Sequence, residues 1–208
     1  MEEYLVPTGE GIGELIEKKS RFIGHIWKVE SEAEAIEALN RTRQTMWDAR
    51  HHVYAYTLRN GIMRYSDDGE PQGTGGMPVL DVLRKQELNN VLCVVTRYFG
   101  GILLGTGGLV RAYSKAAALA VENAGISIMR QWQDATLPLP YSLFERIRLI
   151  VADYQGQVLH VDYGADVTMQ IRLPMGSYGD FCAKITDISC GSLTPVPGEQ
   201  VFLPGKRA

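Results

Sequence analysis

Five apolar residues in a row, Val91 to Val95, open the segment VLCVVTRYF. Side chains alternate across a strand, so an unbroken apolar run needs cover on both faces. That demands a central strand with elements packed above and below it. The residues that follow narrow the choice. Gly100, Gly101, Gly105, Gly107 and Gly108 fall within nine positions, and LVRAYSKAAALAVENA then predicts a helix ended by Gly125, its alanines letting it lie close on the sheet. Glycine loses more freedom on ordering than any other residue, so a cluster of it marks a tight turn or a close backbone approach.

Strand, glycine turn and helix start together offer free N–H groups and a positive dipole end to an anion. Two specific phosphate motifs fail here. A Walker loop needs Lys after its last glycine, and Thr106 stands there. A dinucleotide fingerprint needs Gly or Ala three residues after Gly107, and Val110 stands there. Arg97, Arg111 and Lys115 flank the turn, while Tyr98 and Tyr113 are candidates to stack on unpaired bases. Tight internal packing and anion contact both stay open for these glycines.

Upstream, GELIEKKSRFIGHIWKVES reads as strand, turn, strand. Ser31 opens a helix, with Glu34 completing a capping box. HHVYAYTL, 51–58, is a strand by its aromatic and β-branched content. Asn60-Gly61 is a hairpin turn leading to a short strand around Met63 to Tyr65. A polar loop, SDDGEPQGTGG, precedes a helix with Pro78 at its first position, which Asn89 and Asn90 break. Asp67, Asp68 and Glu70 lack the alternation of an EF-hand, and a solvated turn before a helix start accounts for them without metal. His51 and His52 are strand neighbours facing opposite ways, so they cannot grip one ion. Neither HExxH nor GxSxG occurs, and no catalytic residue, metal or cofactor is expected.

The second half keeps a clean rhythm. DATLPLPYS is a strand, and Ser142 with Glu145 forms a second capping box. Phe144, Ile147, Val151 and Tyr154 make one helical stripe closed by Gly156. QVLHVDY and DVTMQIRL form a hairpin, with Val167, Met169, Ile171 and Leu173 on one face. Met175 and Gly176 lead a helix bearing Phe181, Ile185 and Ile188, stopped by Gly191, and SLTPV is a last strand. This order is the ferredoxin-like βαββαβ. The boundary falls near Met129 to Asp134, giving domains 1–130 and 131–208 in an α+β chain.

Charge limits the partners. Residues 1–131 carry 15 basic and 16 acidic side chains, and the whole 208-residue chain has a net charge of −3. Neither half is basic, so any polyanion site must be a local patch. The start MEEYLVPTGEG lacks the order of a signal peptide, and no apolar run approaches a membrane span. Cys93, Cys182 and Cys190 form no CxxC and read as reduced thiols. A cytoplasmic protein without membrane attachment is expected.

Four segments in order, KKSRFIGH, DARHHVYAY, DDGEPQGTGGMPVL and RYFGGILLGTGGLVRAYS, closely resemble the IMPACT family across about residues 15–125. Gly75, where many relatives have Ala, is a mild departure. Residues 134–195 resemble the extra C-terminal domain of its bacterial members. The resemblance implies an N-terminal domain similar to the second domain of a ribosomal small-subunit protein and to domain IV of elongation factor G. It implies a C-terminal half like that factor's fifth domain. Eukaryotic relatives act in translational control through a ribosome-associated co-activator, but they carry a different extra domain. Position by position, the shared surface is Lys19, Ser20, Arg21, His51, Asp68, Gly69, Glu70, Thr74, Gly100, Gly101, Gly105, Gly107, Gly108, Arg111 and Tyr113. The expected function is therefore a translation-associated module that binds RNA or a ribonucleoprotein surface. Lys19, Arg21, Arg97 and Arg111 would meet phosphates, and Tyr98 or Tyr113 would stack on a base. Two alternatives stand beside it. One is a phosphate-handling enzyme of the galactokinase or mevalonate kinase fold group, with the DDGE loop holding Mg²⁺. The other is a protein-binding regulator that uses the aromatic HHVYAY surface.

Overall fold

A computed structural model describes residues 2–206, which divide into two compact units, residues 4–128 and residues 129–205 with 2–3.

The first unit is built around the strand that the apolar run demands. Its elements are β1 (Tyr4–Pro7), β2 (Gly11–Glu17), β3 (Ser20–Lys28), α1 (Glu32–Thr45), β4 (His51–Thr57), β5 (Met63–Ser66), α2 (Gly76–Lys85), β6 (Val91–Tyr98) and α3 (Thr106–Ala124). Strands β2-β3-β6-β4-β5 form an antiparallel sheet with β6 in its centre. Val91, Cys93 and Val95 point into a core shared with α2 and α3. Leu92 and Val94 point the other way, into a core that includes Ala35, Ala38 and Leu39 of α1. The run is apolar on both faces because each face has its own core.

Helix α3 lies against β2 and β3 at a distance that excludes side chains between them. A Cβ placed on Gly11, Gly13 or Gly24 would come within 2.2–2.5 Å of backbone atoms of Ala120 or Ala116. The alanines of α3 and these glycines are thus two halves of one contact, consistent with dense interior packing.

The second unit contains most of β7 (Ile126–Leu139), then α4 (Tyr141–Asp153), β8 (Gln157–Tyr163), β9 (Val167–Pro174), α5 (Met175–Ile188) and β10 (Val196–Lys206). Its strand order β10-β7-β9-β8 is that of the ferredoxin-like pattern. Val167, Met169, Ile171 and Leu173 are all buried against Ile147, Val151, Phe181 and Ile185.

Several local expectations change. Ser31 Oγ accepts from Glu34 N–H at 3.2 Å, but the Glu34 carboxylate reaches Glu30 N–H rather than that of Ser31. The second capping box does not form, because Pro140 occupies the cap and Glu145 pairs with Arg148 at 2.9 Å. Helix α2 begins at Gly76, so Pro78 is its third residue, still within the turn whose N–H groups lack helical partners. That helix ends at Lys85, short of the asparagines. The chain turns after α4 at Gln155, with φ +58°, while Gly156 leaves room for Leu173. The last strand is β10, not SLTPV, and β1 was hidden in an acidic, turn-rich start.

Candidate functional site

One end of the first sheet gathers the chemistry. Strand β3 begins there at Ser20, β4 begins at His51, and β6 ends there, with His51 paired to Arg97 and Arg21 to Tyr98. Alternation sends Arg97 to the face covered by α2 and α3, where it is only 6% exposed.

A buried guanidinium requires an anion, and Glu70 supplies it. Arg97 Nη1 lies 2.5 Å from Glu70 Oε1, and the Tyr113 hydroxyl donates to the same oxygen at 2.8 Å. Arg97 Nη2 reaches Ser20 Oγ at 3.4 Å, and the guanidinium carbon stands 5.3 Å above the Phe22 ring. Phe22 in turn meets Tyr113 edge-on at 5.1 Å. Burial, then the neighbouring carboxylate, pushes the Tyr113 phenol far above its usual range, so it stays a donor. Arg97 Nε is buried and has no hydrogen-bond partner among the described residues.

His51 joins from β4. Its Nδ1 lies 2.7 Å from the Asp68 carbonyl oxygen, which fixes Nδ1 as the donor. Nε2 lies 3.8 Å from Glu70 Oε1. Arg50, His51, Glu70, Arg97 and Phe99 border a cavity of about 270 Å³ that Pro71, Leu103, Leu104 and Leu109 complete.

The acidic loop is tied to the molecule itself. Asp67 Oδ1 accepts from Gly75 and Gly76 N–H at 2.9 and 2.8 Å, and Oδ2 accepts from Gly73 N–H at 2.8 Å. It caps α2 from a distance. Asp68, at φ +45°, accepts His52 N–H at 2.7 Å and Arg43 Nη2 at 3.1 Å. Thr74 Oγ1 donates to Pro71 O at 2.6 Å. The carboxylates that the kinase-like alternative assigns to Mg²⁺ therefore already have partners.

The tetrapeptide Gly-Thr-Gly-Gly occurs twice, at 73–76 and 105–108, and each copy opens a helix. The first is capped by Asp67. At the second, Gly105 is the cap and, among the described residues, no side-chain hydrogen bond reaches the helix start; Gly108 and Leu109 N–H bond to Gly105 O, while Thr106 and Gly107 N–H have no helical partner.

Other expected residues separate. Arg21 is exposed and doubly bonded to Glu14 at 2.7 and 2.9 Å, which holds that carboxyl below its ordinary range. The Tyr98 hydroxyl donates to Asp48 at 3.1 Å, and this side chain lies on the α1 face, away from the cavity. Arg111 and Lys115 border a second hollow with Glu17. Lys19, at φ +65°, is exposed at the β2–β3 turn. A Cβ on Gly100 would fall 2.0 Å from Lys19 C and O, so this glycine serves close packing, and its N–H donates to Ser20 Oγ at 3.2 Å. Gly69 and Gly101 hold φ values of +85° and +82°. Two assigned roles are corrected: Tyr113 is fully buried and cannot stack on a base, and Arg97 is paired inside the molecule and is no free phosphate ligand. Sequence reasoning passed over Arg50, Phe99 and Leu103. The signal was available in the apolar residues set between glycines, with Phe99 43% and Leu103 81% exposed.

Fold and site together describe a two-domain α+β protein whose first domain carries a small cavity beside an uncapped helix start. Residues 18–121 match the Impact N-terminal domain, and residues 137–192 match a domain of unknown function, DUF1949. The IMPACT family member YvyE of Bacillus subtilis is 31% identical over 98% of this chain and 94% of its own length. YigZ of Escherichia coli is 34% identical over 93% and 97%. A crystal structure of a hypothetical protein, 33% identical, superposes with a TM-score of 0.60 over 96% of this chain and 98% of that one. The chain belongs to the IMPACT family. Among the described residues, no helix is long and apolar enough to cross a membrane.

Proposed function

We propose that this chain is a translation-associated regulatory module that binds single-stranded RNA or a ribonucleoprotein surface at the sheet end described above, without catalysis. The observation that carries the reading is the uncapped Gly-Thr-Gly-Gly start of α3, with exposed Arg111 and Lys115 on its first turns. Backbone N–H groups at a helix start favour a phosphate, and nearby cations add sequence-independent attraction. Lys19 and Arg50 belong to the same end of the sheet. The link to translation comes from family membership. A cytoplasmic location goes with it.

The test is a titration of single-stranded RNA at several salt concentrations. Replacing Lys19, Arg111 and Lys115 together with Ala should weaken binding and lower the salt slope by about 2, given roughly 0.7 counterions released per contact. An unchanged slope would remove this surface from consideration.

A second reading, a protein-binding regulator, is favoured by a different observation. Phe99, Ile102 and Leu103 expose apolar side chains on one loop. Binding to a protein partner that persists at high salt and is lost in Leu103→Ser would select it.

A further inference from the structure

We propose that the cavity beside Arg97 takes up a single unstacked nucleobase of a bound strand. This rests on the RNA-binding reading and specifies what that site recognises.

Buried donors without partners are rare in folded proteins, and each calls for an explanation. Arg97 Nε is one among the described residues, and its guanidinium, 7% exposed, forms part of the cavity wall although Nε itself is closed to solvent. Glu70 supplies the complement. Both side-chain hydrogen bonds that its carboxylate accepts fall on Oε1, and Oε2 is not among the buried atoms lacking a partner, so that oxygen is open to solvent on a residue bordering the cavity. Arg50, exposed at the border, and His51 add polar groups to the same wall, so the cavity presents donors as well as that acceptor. Its ligand needs an acceptor and a donor of its own, as the hydrogen-bonding edge of a nucleobase provides.

The remaining surface fits the rest of such a ring. Phe99, Leu103, Leu104 and Leu109 are apolar, and Phe99 lies with its ring 5.6 Å from the Arg97 guanidinium carbon. At about 270 Å³ the cavity is slightly smaller than the roughly 300–1,000 Å³ of drug-sized sites, which suits one ring system. A phosphate is a poorer occupant here, since the Glu70 carboxylate would repel it and Arg97 is already neutralised. Leu104 and Leu109 also bracket the second Gly-Thr-Gly-Gly, so a strand whose phosphate meets the α3 start has its base close to this opening. Sequence-tolerant capture of a splayed base is a recurrent way of holding single-stranded RNA.

The test compares a short RNA with an abasic strand of equal length, both titrated against the full chain. The wild type should prefer the normal strand about tenfold, as expected for one held base. Phe99→Ala and Leu103→Ser, which leave the buried pair intact, should reduce that preference to near unity while keeping the salt slope. Equal affinity of the wild type for both strands, with the salt dependence retained, overturns base capture and leaves RNA binding standing. A preference that survives both variants places the base elsewhere and also overturns it. Failure of either strand to bind overturns both readings. A free nucleoside monophosphate that binds as tightly as the strand makes the cavity a small-molecule site and overturns the strand-borne reading.

Discussion

Residues 73–76 and 105–108 are the same four amino acids, each following a loop and each starting a helix, yet the two surroundings differ in who answers the free N–H groups. At α2 the answer is internal: Asp67 accepts three amides, Asp68 ties the loop to β4 and α1, and Glu70 anchors it to Arg97 and Tyr113. At α3, among the described residues, no side-chain hydrogen bond reaches the helix start, and the preceding loop holds Phe99, Ile102 and Leu103 out to solvent while Leu104 packs inward. A glycine-rich helix start is therefore an anion site only where the protein has not already supplied the anion. The first copy is structure. The second is the one we assign to a partner.

The sharpest way to break this contrast is to remove Glu70. It is the carboxylate of a buried pair, and its loss leaves Arg97 charged in the interior. Removing one member of such a pair costs about 3–5 kcal/mol, so Glu70→Ala should show that loss in chemical denaturation. Should it cost less than about 1 kcal/mol, the first loop would not be anchored as described. Glu70→Gln should fall between, since an amide keeps hydrogen bonds but not the charge.

Next in size is a glycine pair. Gly100→Ala forces a methyl group into the Lys19 backbone, which cannot swing aside, and should cost about 1–3 kcal/mol. Gly105→Ala meets nothing within 4 Å and should change stability by less than about 0.5 kcal/mol. Thermal unfolding of the two variants measures the difference. Equal costs would mean that the α3 start at Gly105 is packed as tightly as the beginning of its loop at Gly100.

The sequence made the frame of this molecule legible, and the reason is periodicity. Val91 to Val95 announced a strand covered on both faces, and Val167 to Leu173 announced a face turned inward, because burial acts on every side chain of the pattern. The site was legible only as a set of residues. Ser20, His51, Asp68, Glu70, Arg97 and Tyr113 converge, but their roles depend on pairings 17 to 77 residues apart that no local pattern encodes. Arg97 reads as a free cation in one dimension and is a buried partner of Glu70 in three. Phe99 and Leu103 lie between glycines in a quoted segment, but their exposure is visible only in three dimensions. The doubled Gly-Thr-Gly-Gly was in plain view, and only the position of Asp67 tells its copies apart.

The smallest effect, and the one that separates the loops most cleanly, is set by pH. His52 sits on β4 where its backbone N–H holds Asp68, and its ring Nδ1 lies 3.1 Å from Thr96 Oγ1. Burial lowers its pKa, against the opposing pull of Asp68, and burial lowers that of His25 as well. A folded pKa below the unfolded value of about 6.5 means that the unfolded chain binds more protons across the interval between them. Stability is then full above about pH 6.5 and declines as pH falls from there toward the folded pKa. Melting temperatures of the wild type should drop between pH 7.5 and 5.5, and His52→Gln should make the profile flatter. Residues 99–108 contain no histidine, so exchange protection of Gly75 and Gly76 amides should weaken over this range while the bonded amides of Gly108 and Leu109 keep theirs. Equal weakening at both helix starts would show that they respond as one unit, and the contrast between an internally capped start and an open one would lose its physical basis.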